Sequence, residues 1–118
     1  MTTVEIADDQ LVVRMSGLDR LWSLRRRIAV PLSHVRGATA DPGVAREHAG
    51  VRAPGTHLPR VITAGTYYKD GERTFWNLRA TEEPVVIELT DERFHRLVLG
   101  VADARATAEL VERPLSHG

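Results

Sequence analysis

A chain of 118 residues, 42% hydrophobic and 27% charged, is the size of one domain and buries roughly two-thirds of its unfolded surface. Sixteen basic and sixteen acidic side chains cancel, so no global field draws it to nucleic acid or anionic membrane, and no apolar run is long enough to span a bilayer. The absence of cysteine excludes disulfides, thiol nucleophiles and thiolate metal sites.

The opening MTTVEIADD lacks the basic and apolar regions of a secretory signal, which makes the cytoplasm the expected location. From Val4 to Met15 the alternation breaks at Asp8-Asp9 and predicts two strands around an acidic turn, with Leu11 and Val13 inward. Ser16-Gly17-Leu18-Asp19 resembles a capping box, so a short helix is expected near residues 17–24. Leu18, Leu21 and Trp22 fall on one face of it. Two turns are too few to be stable alone, and that face must be covered by the sheet or by a partner.

Ile28, Val30 and Leu32 alternate as in a half-buried strand, and Pro31 places that strand at an edge or a bulge, since it cannot donate to a ladder. Ser33-His34 turns the chain into a strand over Val35 to Ala40, which Asp41-Pro42-Gly43 ends. From Gly43 to Pro59 no period is sustained, and Gly and Pro mark a long irregular loop. Long loops inside domains are commonly functional; this one holds Arg46, His48, Arg52 and His57, with Arg60 just beyond.

The stretch Arg60 to Val101 reads as a meander. Val61, Tyr67, Tyr68, Thr74, Phe75 and Trp76 suit a pleated surface, and Asp70-Gly71 supplies the positive φ of a tight hairpin. Val85, Ile87 and Leu89 form the next strand, and Leu97, Leu99 and Val101 the last. Asp103 is a suitable N-cap for a terminal helix striped by Ala104, Thr107, Ala108 and Val111, which Pro114 is expected to stop. The fold expected is mainly β: a single domain over residues 1–118, forming a partly open antiparallel barrel of about seven strands capped by the C-terminal helix.

The run LVVRMSGLDRLWSLRRRIAVPLSHVRGATADP, with its IAVPLSHV strand, resembles bacterial pleckstrin-homology-like domain proteins, in which an I-x-x-P-x-x-x-[IV] segment recurs. PGTHLP, TFWNLR, VVIEL and the DARATAELV helix are similar to small actinobacterial proteins of that type. The resemblance implies a scaffold that is non-catalytic in most settings and contacts phospholipid, peptide or protein. The lipid-binding members carry a basic pattern around their first hairpin, where this chain has Asp8-Asp9. A lipid headgroup is therefore implied by fold similarity alone.

The residues themselves spell out no chemistry. His34, His48, His57, His95 and His117 show no H-x-x-x-H or H-E-x-x-H spacing. There is no G-x-S-x-G elbow and no phosphate-binding glycine loop. Arg25, Arg26 and Arg27 do not form one patch for nucleic acid, because alternation sends Arg26 to the opposite face. The reading is a non-catalytic module whose partner is itself, as a homo-oligomer, or another protein. The alternative is a protein that binds a small anion, or a weak enzyme, with a pocket near residues 43–60. Trp22, Arg52, His57, Arg60 and Trp76 are the candidate binding or interface residues. No cofactor is expected, so elemental analysis of dialysed protein should find no stoichiometric zinc or iron; metal that survives dialysis and depends on His34 or His57 overturns this.

Overall fold

The computed structural model describes residues 2–15, 27–43, 51–58, 62–69, 71–79 and 81–116, with the backbone alone for 51–58, 62–64 and 116. Among them lie nine strands and one helix: β1 (Thr2–Ala7), β2 (Gln10–Met15), β3 (Arg27–Pro31), β4 (Val35–Ala40), β5 (Val51–Leu58), β6 (Ile62–Lys69), β7 (Glu72–Arg79), β8 (Glu83–Leu89), β9 (Arg96–Val101) and α1 (Ala104–Ser116).

The β1–β2 hairpin closes on a two-residue turn, with Ala7 opposite Gln10. Asp8 and Asp9 both have positive φ, 52° and 61°, the type I′ geometry that matches strand twist and that Asp tolerates better than most side chains. The β6–β7 turn uses Gly71 at φ 79° for the same reason. After β3, a single 3-10 turn over Leu32–His34 carries the chain from one sheet to the other. The hairpin tip fastens that corner: the Leu32 N–H donates to the Asp9 carbonyl at 2.9 Å.

Two sheets result, one of three strands in the order β1-β2-β3 and one of six in the order β4-β8-β9-β7-β6-β5. The expected mainly β fold with a C-terminal helix is present; in place of a partly open barrel of about seven antiparallel strands, the described residues form nine strands in two sheets with no ladder between the sheets. Nor is the 60–101 stretch a simple meander. β5, β6 and β7 are antiparallel neighbours, but β9 inserts between β8 and β7 and runs parallel to β7. Within the loop expected over 43–59, Val51–Leu58 form a strand, and residues 44–50 and 59 lie outside the described residues. The strand's period was hidden by a register shift between Arg52 and Gly55, where Pro54 sits, and edge strands accept both features.

The main core lies between the sheets and under the helix. Leu11, Val13 and Ile28 from the three-stranded sheet meet Phe75, Ile87, Leu97 and Leu99 from the six-stranded one. On the far face of the larger sheet Tyr67, Trp76, Leu78, Val86 and Val98 form a second buried cluster. The Tyr67 and Trp76 rings meet edge-on, 6.4 Å apart, a favoured aromatic geometry.

The helix begins as the sequence predicts. Asp103 Oδ1 accepts the Ala106 N–H at 3.0 Å, and Glu83 on β8 accepts the Ala104 N–H at 2.9 Å, so two of the unbonded donors of the first turn are satisfied. Ala104, Ala108 and Val111 are buried and Leu115 packs against the core. Pro114 does not stop the helix, which continues to Ser116; near a C-terminus the missing proline N–H leaves only one carbonyl, that of Leu110, without its ordinary helical donor. Val111→Ala should cost about 2 kcal/mol and lower Tm by roughly 8 °C. Truncation after Asp103 should abolish the cooperative melt altogether. A truncated chain that melts near the original temperature would show that the helix is not part of the core.

Candidate functional site

Four strands lie at sheet edges, and an unpaired edge is a template for another chain unless something blocks it. β4 is covered by α1: the Ala38 N–H donates to Glu112 Oε1 at 2.8 Å, and the strand is bulged between Val35 and Gly37. β5 carries its own bulge and Pro54. β3 ends with Pro31 and carries Arg27. β1 has none of these guards. Its register against β2 runs unbroken from Thr2 to Ala7, and its sequence, TTVEIA, contains no Pro, Lys or Arg.

β1 is held firmly in place. Thr2 is buried, and its hydroxyl accepts a hydrogen bond from Asn77 Nδ2 on β7 at 2.6 Å. Glu5, the one charge on the strand, is neutralised by Arg14 on β2 at 2.7 Å. Beside the strand, a groove of about 310 Å³ separates it from the first turns of α1 and is lined by Val4, Val101, Ala106, Thr107 and Leu110. Leu110 is 37% exposed, one of the two large hydrophobic side chains described as exposed. An ordered edge, a neutralised charge and an apolar trough together make a surface fit for strand addition, in which main-chain bonds give affinity and side-chain pockets give selectivity.

Among the described residues, the histidines and carboxylates that make side-chain contacts serve as structural ties. His34 Nδ1 and Glu92 Oε2 are 2.5 Å apart and partly buried. Among the described residues no hydroxyl bonds to the other ring nitrogen, so this is a clamp between the 3-10 corner and the β8–β9 connection. The main chain reinforces it, the Thr90 N–H donating to the His34 carbonyl at 2.9 Å. His95 acts likewise: its N–H donates to the Arg73 carbonyl at 2.8 Å, and its Nδ1 accepts the Arg73 N–H at 2.9 Å. Among the described residues no cluster of three or more His, Asp or Glu could hold a metal, and no helix is long and apolar enough to cross a membrane.

Of the candidates read from sequence, Trp22 and Arg60 lie outside the described residues, as does the short helix expected near 17–24. Arg52 and His57 fall on β5, at the sheet edge farthest from β4. Trp76 is 2% exposed in the second cluster, and its Nε1 has no hydrogen-bond partner among the described residues. The structure does not bring Trp76 to the β1 groove. That groove escaped the sequence reading, although its signals were present in a β-branched first strand with no Pro or Lys and in Leu110 lying beside the helix stripe.

No family model matches this chain, and neither does any curated protein or solved structure. The His34–Glu92 clamp is tested by a double-mutant cycle with His34→Ala and Glu92→Ala. A coupling of about 1 kcal/mol is expected, between the values for exposed ion pairs and for hydrogen bonds to a charged group. Strict additivity of the two losses would show that the pair contributes nothing.

Proposed function

We propose that this chain is a non-catalytic assembly module of the pleckstrin-homology-like type, which pairs with a second copy of itself through the β1 edge and the groove beside it. The observation that carries the reading is the contrast between edges: β3, β4 and β5 are each bulged, proline-bearing or covered, and β1 alone among the described edge strands has no bulge, no proline and no side chain bonded to its edge amides. Two β1 strands meeting antiparallel about a two-fold axis would continue the three-stranded sheet into one of six. Such a contact is self-complementary, as closed dimers require.

Several features favour a second copy over an unlike partner. The β1 edge presents no net charge, since Glu5 is matched within its own subunit, so it offers nothing for an oppositely charged partner to select. Thr2, Thr3, Val4 and Ile6 are β-branched and pair well with one another across a ladder. The chain's net charge of zero leaves no long-range repulsion between copies. The sequence resemblance supports the same reading, as does a C-terminal helix packed against a mainly β body.

Light scattering across micromolar to millimolar concentration should therefore show a dimer. Leu110→Glu removes about 1 kcal/mol of apolar burial from each copy and should weaken the dimer roughly thirtyfold. Thr3→Lys places a guard charge on the edge and should act in the same direction. Both positions are exposed, so the melting of the subunit should hardly change. A wild-type protein that stays monomeric throughout, or a dimer indifferent to both substitutions, rules the β1 contact out.

A further inference from the structure

The opposite edge of the three-stranded sheet carries a different feature. β3 faces the connection between β8 and β9 across a cavity of about 200 Å³. Its floor is apolar, made by Ile28, Val30, Leu89 and Phe94, none more than 8% exposed. Phe94 is fixed there by the Phe75 ring, 5.5 Å away between centroids. Arg27 enters the rim from β3 and Arg93 from the connection.

Some of the other described arginines are occupied. Arg14 pairs with Glu5, and Arg73 lies over the Tyr68 ring. Arg27 and Arg93 are exposed and, among the described residues, make neither an ion pair nor a side-chain hydrogen bond. The carboxylate on the same rim, Glu92, is turned to His34 instead. Two arginines with no partner among the described residues thus border a cavity with an apolar lining, a combination that suits an anion bearing hydrocarbon: the guanidinium offers paired donors to a carboxylate, and the lining takes the apolar part out of water.

We infer that this cavity binds a small monocarboxylate with an apolar body of a few carbons. The rim's charges narrow the class. Two guanidiniums against one carboxylate leave a single net positive charge, which suits a monoanion and disfavours a phosphate dianion facing Glu92. The apolar floor disfavours inorganic anions further. An extended peptide fits less well, because β3 is five residues long and closes with Pro31, which donates nothing to a ladder. The site is independent of the β1 contact, which lies at the other edge of the same sheet.

The probes are 4-methylpentanoate and phenylacetate, titrated by calorimetry and by amide chemical shifts into both the wild-type protein and Leu110→Glu. Saturable binding is expected in both, with a dissociation constant on the order of 1 mM and shifts centred on residues 27–30 and 92–94. The neutral 4-methylpentanamide and inorganic phosphate should each bind at least about tenfold more weakly, and Arg27→Gln and Arg93→Gln should each weaken the acids about tenfold. Arg105→Gln, an exposed arginine on the helix, should change nothing. Equal binding of the amide, binding that survives both arginine substitutions, or no binding of either acid overturns the assignment.

Discussion

Burial of β9 on both of its faces is the constraint on which the rest of this architecture depends. Leu97, Val98 and Leu99 are all fully buried, and Val101 nearly so, although successive side chains of a strand point to opposite faces of the sheet. Such a strand needs a neighbour on each side and a cover above and below. β7 and β8 supply the neighbours. The main core covers one face, closed by the three-stranded sheet and the helix, and the Tyr67–Trp76 cluster lies on the other. The crowding reaches the backbone, for a Cβ on Gly100 would lie 2.9 Å from Glu82 Cβ. A larger residue there would require Glu82 to shift.

Where elements from distant parts of the chain meet, side chains rather than ladders make the hydrogen bonds. Glu112 bonds an edge amide of β4, Glu83 an amide at the start of the helix, and Asn77 the buried hydroxyl of Thr2. Each contact is worth about 1 kcal/mol net, but leaving a buried donor unmatched would cost more than that, so these contacts specify placement more than they add stability. They also explain the uneven treatment of the edges. The helix that blocks β4 stands beyond the groove from β1, so closing one edge is compatible with leaving the other open.

Much of this could be read from the residues, and the unread parts have physical causes. The first hairpin, the corner after Pro31, the strand from Val35 to Ala40 and the helix stripe were all legible, because each is written in local alternation or in a turn or cap residue. β5 was not, since Pro54 and Gly55 destroy the two-residue period that a bulge accommodates. The parallel insertion of β9 was invisible for another reason: a strand buried on both faces shows a continuous apolar run, which states burial and says nothing about neighbours. Of the site, β1 was legible as a strand; its standing as the open edge depended on the order of strands in space. Arg27 and Arg93 are far apart in sequence, and only the fold brings them to one rim.

The insertion of β9 also sets a problem of timing. β7 and β8 are joined by only residues 80–82 and run antiparallel, with a turn in which the Arg79 N–H donates to Glu82 and the Glu82 N–H to the Arg79 carbonyl. By local geometry they are a hairpin, and a hairpin forms in microseconds. In the native protein they are held apart by the width of one strand, about 10 Å between their axes. A chain emerging in order presents β7 and β8 to each other before residues 96–101 exist. The native order instead replaces a direct β7–β8 pairing by two ladders to β9. The side chains that β9 brings are apolar on both faces and buried, so the strand that arrives last in the chain is the one that fills the middle of the sheet.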